Sequence, residues 1–410
     1  MKIIIEKLGH LGDGIAIGAD GPIYASGCLP GEEVEGELVG DTLTGVRIIT
    51  PSAKRVRAPC SHAKTCGGCH FQHAADDLVA EWKQGVVEGA LTGQGLSTTF
   101  LPIITSAAQS RRRATFTGRK LKGGAQVGFH ARGSDLLVSI PNCKLLHPDL
   151  LAMVPVLEDM VKLGASRTVE VQLAVTRSVS GADISVMGGK ALDSELRMEL
   201  ARLTESAGFA RLTWNNETVA LRTFPMQRFG NALVAPPPGS FLQATQEGES
   251  ALLRAVALAI GPGAKRIADL FAGSGTFALP LAERFEVLAV EGEAKMAAAL
   301  EKAARNTAGL RRVTVEARDL FRRPLEPAEF KGIDAVVIDP PRAGAEAQFA
   351  TLAVAQVPII ASVSCNPITF ARDAKTLIKA GYTLDWVQVV DQFRWSTHVE
   401  LVGRFSISTK

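Results

Sequence analysis

The chain has 410 residues, a formal net charge of +3 and six cysteines, too long for one ordinary core and too weakly basic for its overall charge to hold nucleic acid by itself. Its 46% hydrophobic and 21% charged residues fit a soluble globular protein, and no apolar stretch approaches the ~20 residues of a membrane span. The apolar run at 3–5 is too short for a secretory signal, and so few cysteines in this length suit a reducing compartment, so a cytoplasmic location is expected.

Residues 1–52 alternate short β-type runs (2–7, 14–18, 22–26, 33–39 and 45–50) with turns such as Gly9-His10-Leu11-Gly12-Asp13-Gly14 and Leu29-Pro30-Gly31-Glu32. This punctuation predicts a small antiparallel barrel, a form that binds oligonucleotides or serves only as structure. Cys28 falls inside it and reads as a small hydrophobe.

From 53 to 235 the pattern is mixed α+β. Helices are expected over 76–91 and 149–164, a β-hairpin region over 112–139 with turns at Gly123-Gly124 and Gly133-Ser134, and strands near 169–175 and 183–187. Cys60, Cys66 and Cys69 have metal-ligand spacing, and Cys143 completes a set of four thiols. Four thiolates satisfy a structural zinc or an iron-sulfur cluster, and spacing alone does not choose. His62, His70 and His73 nearby would suit zinc, although solvated histidines are commoner. Lys54, Arg55 and Arg57 precede the cysteines, and Arg111, Arg112, Arg113, Arg119, Lys120 and Lys122 lie between the third and fourth, which points to a phosphate-tracking surface. Trp82 and Phe129 suit core packing better than base stacking.

Pro236-Pro237-Pro238-Gly239 marks the clearest boundary, giving segments 1–52, 53–235 and 236–410. Beyond it helix and strand alternate to the end, which predicts a mainly parallel sheet covered on both faces. Asp269-Leu270-Phe271-Ala272-Gly273-Ser274-Gly275-Thr276 closes a strand and opens a helix, Glu291 ends the next strand, and Asp319 follows the one after. The pattern is similar to the S-adenosylmethionine site of class I methyltransferases, in which backbone passes close to the ligand at the two glycines and a carboxylate receives the ribose hydroxyls. Asp339-Pro340-Pro341-Arg342 ends a further strand with a stiff wall. Ser364-Cys365-Asn366-Pro367 puts a cysteine on the same edge of the sheet.

These motifs, with Phe241-Leu242-Gln243 and His398-Val399-Glu400, resemble the RNA (uracil-5-)-methyltransferase family over nearly the whole chain, and most closely its 23S ribosomal RNA members with an N-terminal TRAM barrel and a [4Fe-4S] cluster. The resemblance implies an α/β fold with a class I, Rossmann-like methyltransferase domain at 236–410, a TRAM-like barrel at 1–52 and an RNA-binding central domain. It implies Cys365 as nucleophile toward C6 of uracil, Glu400 as general base and Asp339 against both base and cofactor. Gln243, Phe271, Gly273, Gly275, Thr276, Glu291, Asp319 and Asp339 match the cofactor positions, and Cys60, Cys66, Cys69 and Cys143 the cluster ligands. The partner implied is a loop or bulge uridine of 23S rRNA, since a stacked base must be unstacked to react; a monomer is expected. Transfer-RNA members are expected to lack both barrel and cluster. The alternatives are the same chemistry on tRNA, an iron-sulfur oxidoreductase, for which the dinucleotide fingerprint is missing, and a non-methylating RNA-binding protein.

Overall fold

The computed structural model describes residues 1–407. Six short strands between Lys2 and Thr50 form one curled sheet in which Lys2–Ile4 and Lys7–Leu8 lie at opposite edges, so the barrel is half open. Alternation sends Ala16, Ile23, Ala25, Val34 and Leu43 to its inside. Cys28 joins them at 2% exposure, a plain core residue as expected.

A seven-stranded sheet spans Arg113 to Leu221, with helices Val154–Gly164 and Ser194–Ser206 packed beside it. The helix expected over 149–164 is two, Pro148–Ala152 and Val154–Gly164, because Pro155 has no N–H for a continuous ladder. Trp214 is fully buried and explains two glycines: a Cβ on Gly164 would lie 2.3 Å from its ring and one on Gly189 2.2 Å. Ser194–Ser206, started by Asp193 accepting the Leu196 N–H, and the strands Arg211–Trp214 and Glu217–Leu221 were not anticipated from sequence. Trp82 packs against Phe71 and donates its indole N–H to the Gly9 carbonyl, while Phe129 stacks on Phe116, so both are packing residues.

The C-terminal sheet has eight strands. Val313–Ala317, Glu286–Glu291, Arg266–Leu270, Ala335–Ile338 and Ile359–Ser364 run parallel in that spatial order, followed by antiparallel Leu401–Ser406 and then Thr383–Asp391. Its last edge strand is Thr99–Thr105. That strand and the helix Asp76–Thr92, which packs on Pro367–Lys379, fall before residue 236 yet attach to this sheet. No helix among the described residues is long and apolar enough to cross a membrane.

Candidate active site

Strand order alone gathers the site. Parallel strands reverse direction of spread between Arg266–Leu270 and Ala335–Ile338, and such a switch point opens a crevice at the carboxyl ends. Leu270 pairs with Val290 on one side and Ile338 on the other, so Phe271, Glu291 and Asp339 leave three adjacent strands at one level. Phe271 has a φ of 63°, a left-handed conformation costly for a bulky residue and a mark of a constrained site. The Glu291 carboxylate is aimed by two backbone donors, Gly273 N–H at 2.8 Å and Glu293 N–H at 2.7 Å, one on each oxygen. Asp319 accepts the N–H groups of Phe321 and Arg322 and so holds Phe321 with its ring 5.3 Å from that of Phe271.

Cys365 and Glu400 come from the other half of the edge. Ser364 pairs with Leu401 across antiparallel strands, so the next residues outward, Cys365 and Glu400, emerge side by side. Burial first, and the Glu400 and Asp339 carboxylates second, push the Cys365 thiol up to about 11, against a smaller pull from Arg342. Burial raises Asp339 well above the ordinary carboxylate range. Burial and the nearby Asp339 do the same to Glu400, opposed by its bond to Gln392 and by Arg113. A partly exposed thiol beside two acids of raised pKa is an arrangement able to couple proton transfer to addition at a neighbouring atom.

All these side chains line one cavity of about 630 Å³: Gln243, Phe271, Gly273, Thr276, Glu291, Asp319, Asp339, Cys365 and Glu400. Gly275 does not line it. Its φ of 100° and the 2.6 Å gap between a would-be Cβ and Leu279 give it a turn and packing role. A second groove of about 660 Å³ runs between the barrel, the Asp76–Thr92 helix and the catalytic edge, with Leu11, Val86, Ile368 and His398 on its walls. Cys365 and Arg342 line both, so the thiol stands where groove and cavity meet.

The arginines at 111–113, expected to belong to a phosphate-tracking surface, do not all face solvent. Arg112 is a buried strut bonded to Glu249, Gln246 and the Gln243 carbonyl. Arg111 lines the cavity, and the half-buried Arg113 guanidinium lies 4.4 Å over the Phe241 ring. Arg119 pairs with Glu170. Alternation along a strand separates neighbours in sequence onto opposite faces, which a count of positive charges does not reveal.

Cys60, Cys66, Cys69 and Cys143 line one small cavity together with Phe129, Ile140 and Leu145. Gly68 N–H donates to Cys66 Sγ and Leu145 N–H to Cys143 Sγ, both at 3.4 Å. Among the described residues no three His, Cys, Asp or Glu side chains converge tightly enough to hold a single metal ion.

Residues 236–405 match the family model described as tRNA (Uracil-5-)-methyltransferase. The chain is 40% identical to an uncharacterized RNA methyltransferase of Brucella suis, covering 98% of this chain and 97% of that one. It is 32% identical to the 23S rRNA (uracil(1939)-C(5))-methyltransferase RlmD of Chromohalobacter salexigens, covering 97% and 87%. Its fold is similar to the crystal structure of the Pyrococcus abyssi tRNA (uracil-54, C5)-methyltransferase in complex with S-adenosyl-L-homocysteine, with a TM-score of 0.78, 22% identity and 99% of each chain covered. That likeness extends through the N-terminal half-barrel, so the expectation that tRNA members lack it fails, and the barrel does not separate the two kinds of RNA.

Proposed function

The chain belongs to the RNA (uracil-5-)-methyltransferase family and is an S-adenosylmethionine-dependent enzyme of that kind; from this premise we propose that it methylates C5 of a specific uridine in 23S ribosomal RNA through a bond between Cys365 and C6. The observation that carries the reading is that Cys365, Asp339 and Glu400 share one cavity with the strand-end residues Phe271, Glu291 and Asp319.

C5 of uracil is too weak a nucleophile to take a methyl group unaided. Addition of the Cys365 thiolate to C6 turns the ring into an enolate whose C5 can attack. In its acid form, which burial favours, Asp339 can donate to the developing ring oxyanion. S-adenosylmethionine supplies the electrophilic methyl on its sulfonium. Burial first, and its two acidic neighbours second, hold Cys365 as a thiol; it gains thiolate character when a positive charge enters the cavity, its proton leaving to solvent through the groove. Glu400 then removes the C5 proton, and elimination frees Cys365. Gln243, Gly273 and Thr276 help enclose the cofactor, the free lone pairs of Glu291 suit its ribose hydroxyls, and the paired rings of Phe271 and Phe321 suit its adenine.

The groove meeting the cavity at Cys365 supports an RNA strand lying against a TRAM-like barrel, with its target base extruded from a loop or bulge, where unstacking costs least. Cys60, Cys66, Cys69 and Cys143 suit a [4Fe-4S] cluster: four thiols lining one cavity with Phe129, Ile140 and Leu145 and with the polar His62 and Gln72, two of the thiols receiving N–H bonds that stabilise thiolate. The cluster's role would be structural, since methyl transfer consumes no electrons.

The full-length relative of 32% identity supports ribosomal RNA; the Pyrococcus abyssi likeness keeps tRNA as the second reading. Incubation with labelled S-adenosylmethionine and either 23S rRNA fragments or tRNA, followed by product mapping, decides between them. 5-Methyluridine in an rRNA fragment is expected. Its absence from every RNA tested would sink both readings.

A further inference from the structure

Gln392 is 1% exposed and lies between Gln243 and Glu400. Its Oε1 accepts the Ala244 N–H at 2.7 Å. A backbone N–H can only donate, so this contact fixes which end of the amide is oxygen. Nε2 must then face the other way, and it does, donating to Gln243 Oε1 at 2.5 Å and to Glu400 Oε2 at 3.1 Å. Every donor and acceptor of this buried amide except one oxygen lone pair is thereby used.

Two consequences follow for the groups it touches. Glu400 receives its hydrogen bond on Oε2 alone, so Oε1, which accepts none among the described residues, is the oxygen left for the cavity. Gln243 has its oxygen turned toward Gln392, and this leaves its NH2 group for a ligand oxygen. Gln392 itself does not line the cavity.

We propose that Gln392 is a positioning residue for proton removal: it clamps one oxygen of Glu400 so that the other meets the C5 hydrogen. This rests on the reading of Glu400 as the base. In the step concerned, Glu400 Oε1 takes the C5 proton, the C5–H electron pair becomes the C5=C6 π bond, and the C6–S bond breaks with its pair returning to Cys365 as thiolate. The products are 5-methyluridine, a free thiolate and a protonated Glu400. Nothing else is consumed.

The test uses the full-length chain with Gln392→Met, close to Gln in shape but unable to hydrogen-bond, and Gln392→Leu as the second variant should the first not fold. Turnover is measured on an RNA fragment that the unaltered protein methylates. The rate of denaturant-resistant complex formation is measured on the same fragment carrying 5-fluorouridine, in which methyl transfer proceeds but no C5 proton can leave. Expected are turnover reduced roughly tenfold or more, complex formation with the fluorinated RNA within about threefold of the unaltered protein, and accumulation of a covalent complex with natural RNA. If the unaltered protein forms no complex with fluorinated RNA, the proposed function fails. If it does, and the variant loses both rates in the same ratio or loses neither, the positioning role of Gln392 is overturned.

Discussion

Cys365, Asp339 and Glu400 stand out in the sequence because each lies in a short recognisable motif, and in the structure Cys365 and Asp339 each follow a strand end while Glu400 immediately precedes the strand Leu401–Ser406. Gln392 and Arg113 do not, because their partners come from cross-strand and cross-domain neighbours that no local pattern encodes. The electrostatics of the site carry a testable sign. Burial and Asp339 raise the Glu400 pKa above that of the unfolded chain, so the folded protein holds a proton that the unfolded one releases. Stability is then lost as pH rises from the ordinary carboxylate range through the raised folded value. The depressed pKa values of His73 and His398 act in the opposite sense below neutrality, but they are common to both proteins in a comparison with Glu400→Gln. The melting temperature of ligand-free Glu400→Gln, relative to the unaltered protein, is therefore expected to climb by a few degrees between about pH 5 and about pH 9. A difference that stays flat, or falls, would show that Glu400 ionises normally.

At the scale of elements, the helix Asp76–Thr92 was legible from its periodicity, but its docking was not. Its Lys83 is fully buried and donates to Asp391 Oδ1 at 2.5 Å and to the Phe393 carbonyl at 3.1 Å. Asp391 also accepts the Phe393 N–H. The pair thus pins the helix to the start of the loop that carries Gln392, His398 and Glu400. The strand Thr99–Thr105 was missed because Pro102 interrupts it, a residue tolerated only at an edge such as the one it occupies beside Thr383–Asp391. The helix Glu346–Ala355 was missed because apolar residues surround it and leave little periodicity to detect. Lys83→Met leaves Asp391 buried without a cation and is expected to cost about 3–5 kcal/mol of stability in denaturant titration. Lys83→Met with Asp391→Leu should recover much of that loss while turnover stays low, because the loop has lost its tether. Recovery of turnover together with stability would mean that the ion pair serves the core alone.

Over the whole molecule, the three chain segments are not beads in series. The cysteine loop reaches the central hairpin through Gly67 N–H donating to His130 O at 2.9 Å. It also reaches the loop leading to Glu400, where the N–H groups of His70 and Phe71 donate to Trp395 O at 2.6 and 3.1 Å. Trp395 is held at a φ of 59°, a conformation that needs such support. Phe271, Glu291 and Asp339, in contrast, sit at strand ends of the parallel sheet and take their geometry from its register. Sequence spacing marked the four cysteines but not this division, which depends on which loops lie beside which. Anaerobically purified protein is expected to carry about four irons per chain, and Cys66→Ser to lose them. The same variant should bind S-adenosylmethionine within about threefold of the unaltered protein by calorimetry, while RNA affinity and turnover both fall by roughly tenfold or more. Loss of the proposed cluster would free the 60–73 segment, releasing Trp395 and with it the Gln392–Glu400 stretch, while the carboxyl ends of the parallel strands would be untouched. An iron-free Cys66→Ser protein with unchanged turnover would show that the loop keeps its shape through backbone contacts alone. Loss of S-adenosylmethionine binding in step with turnover would instead make the cluster a support for the whole fold rather than for its RNA-facing half.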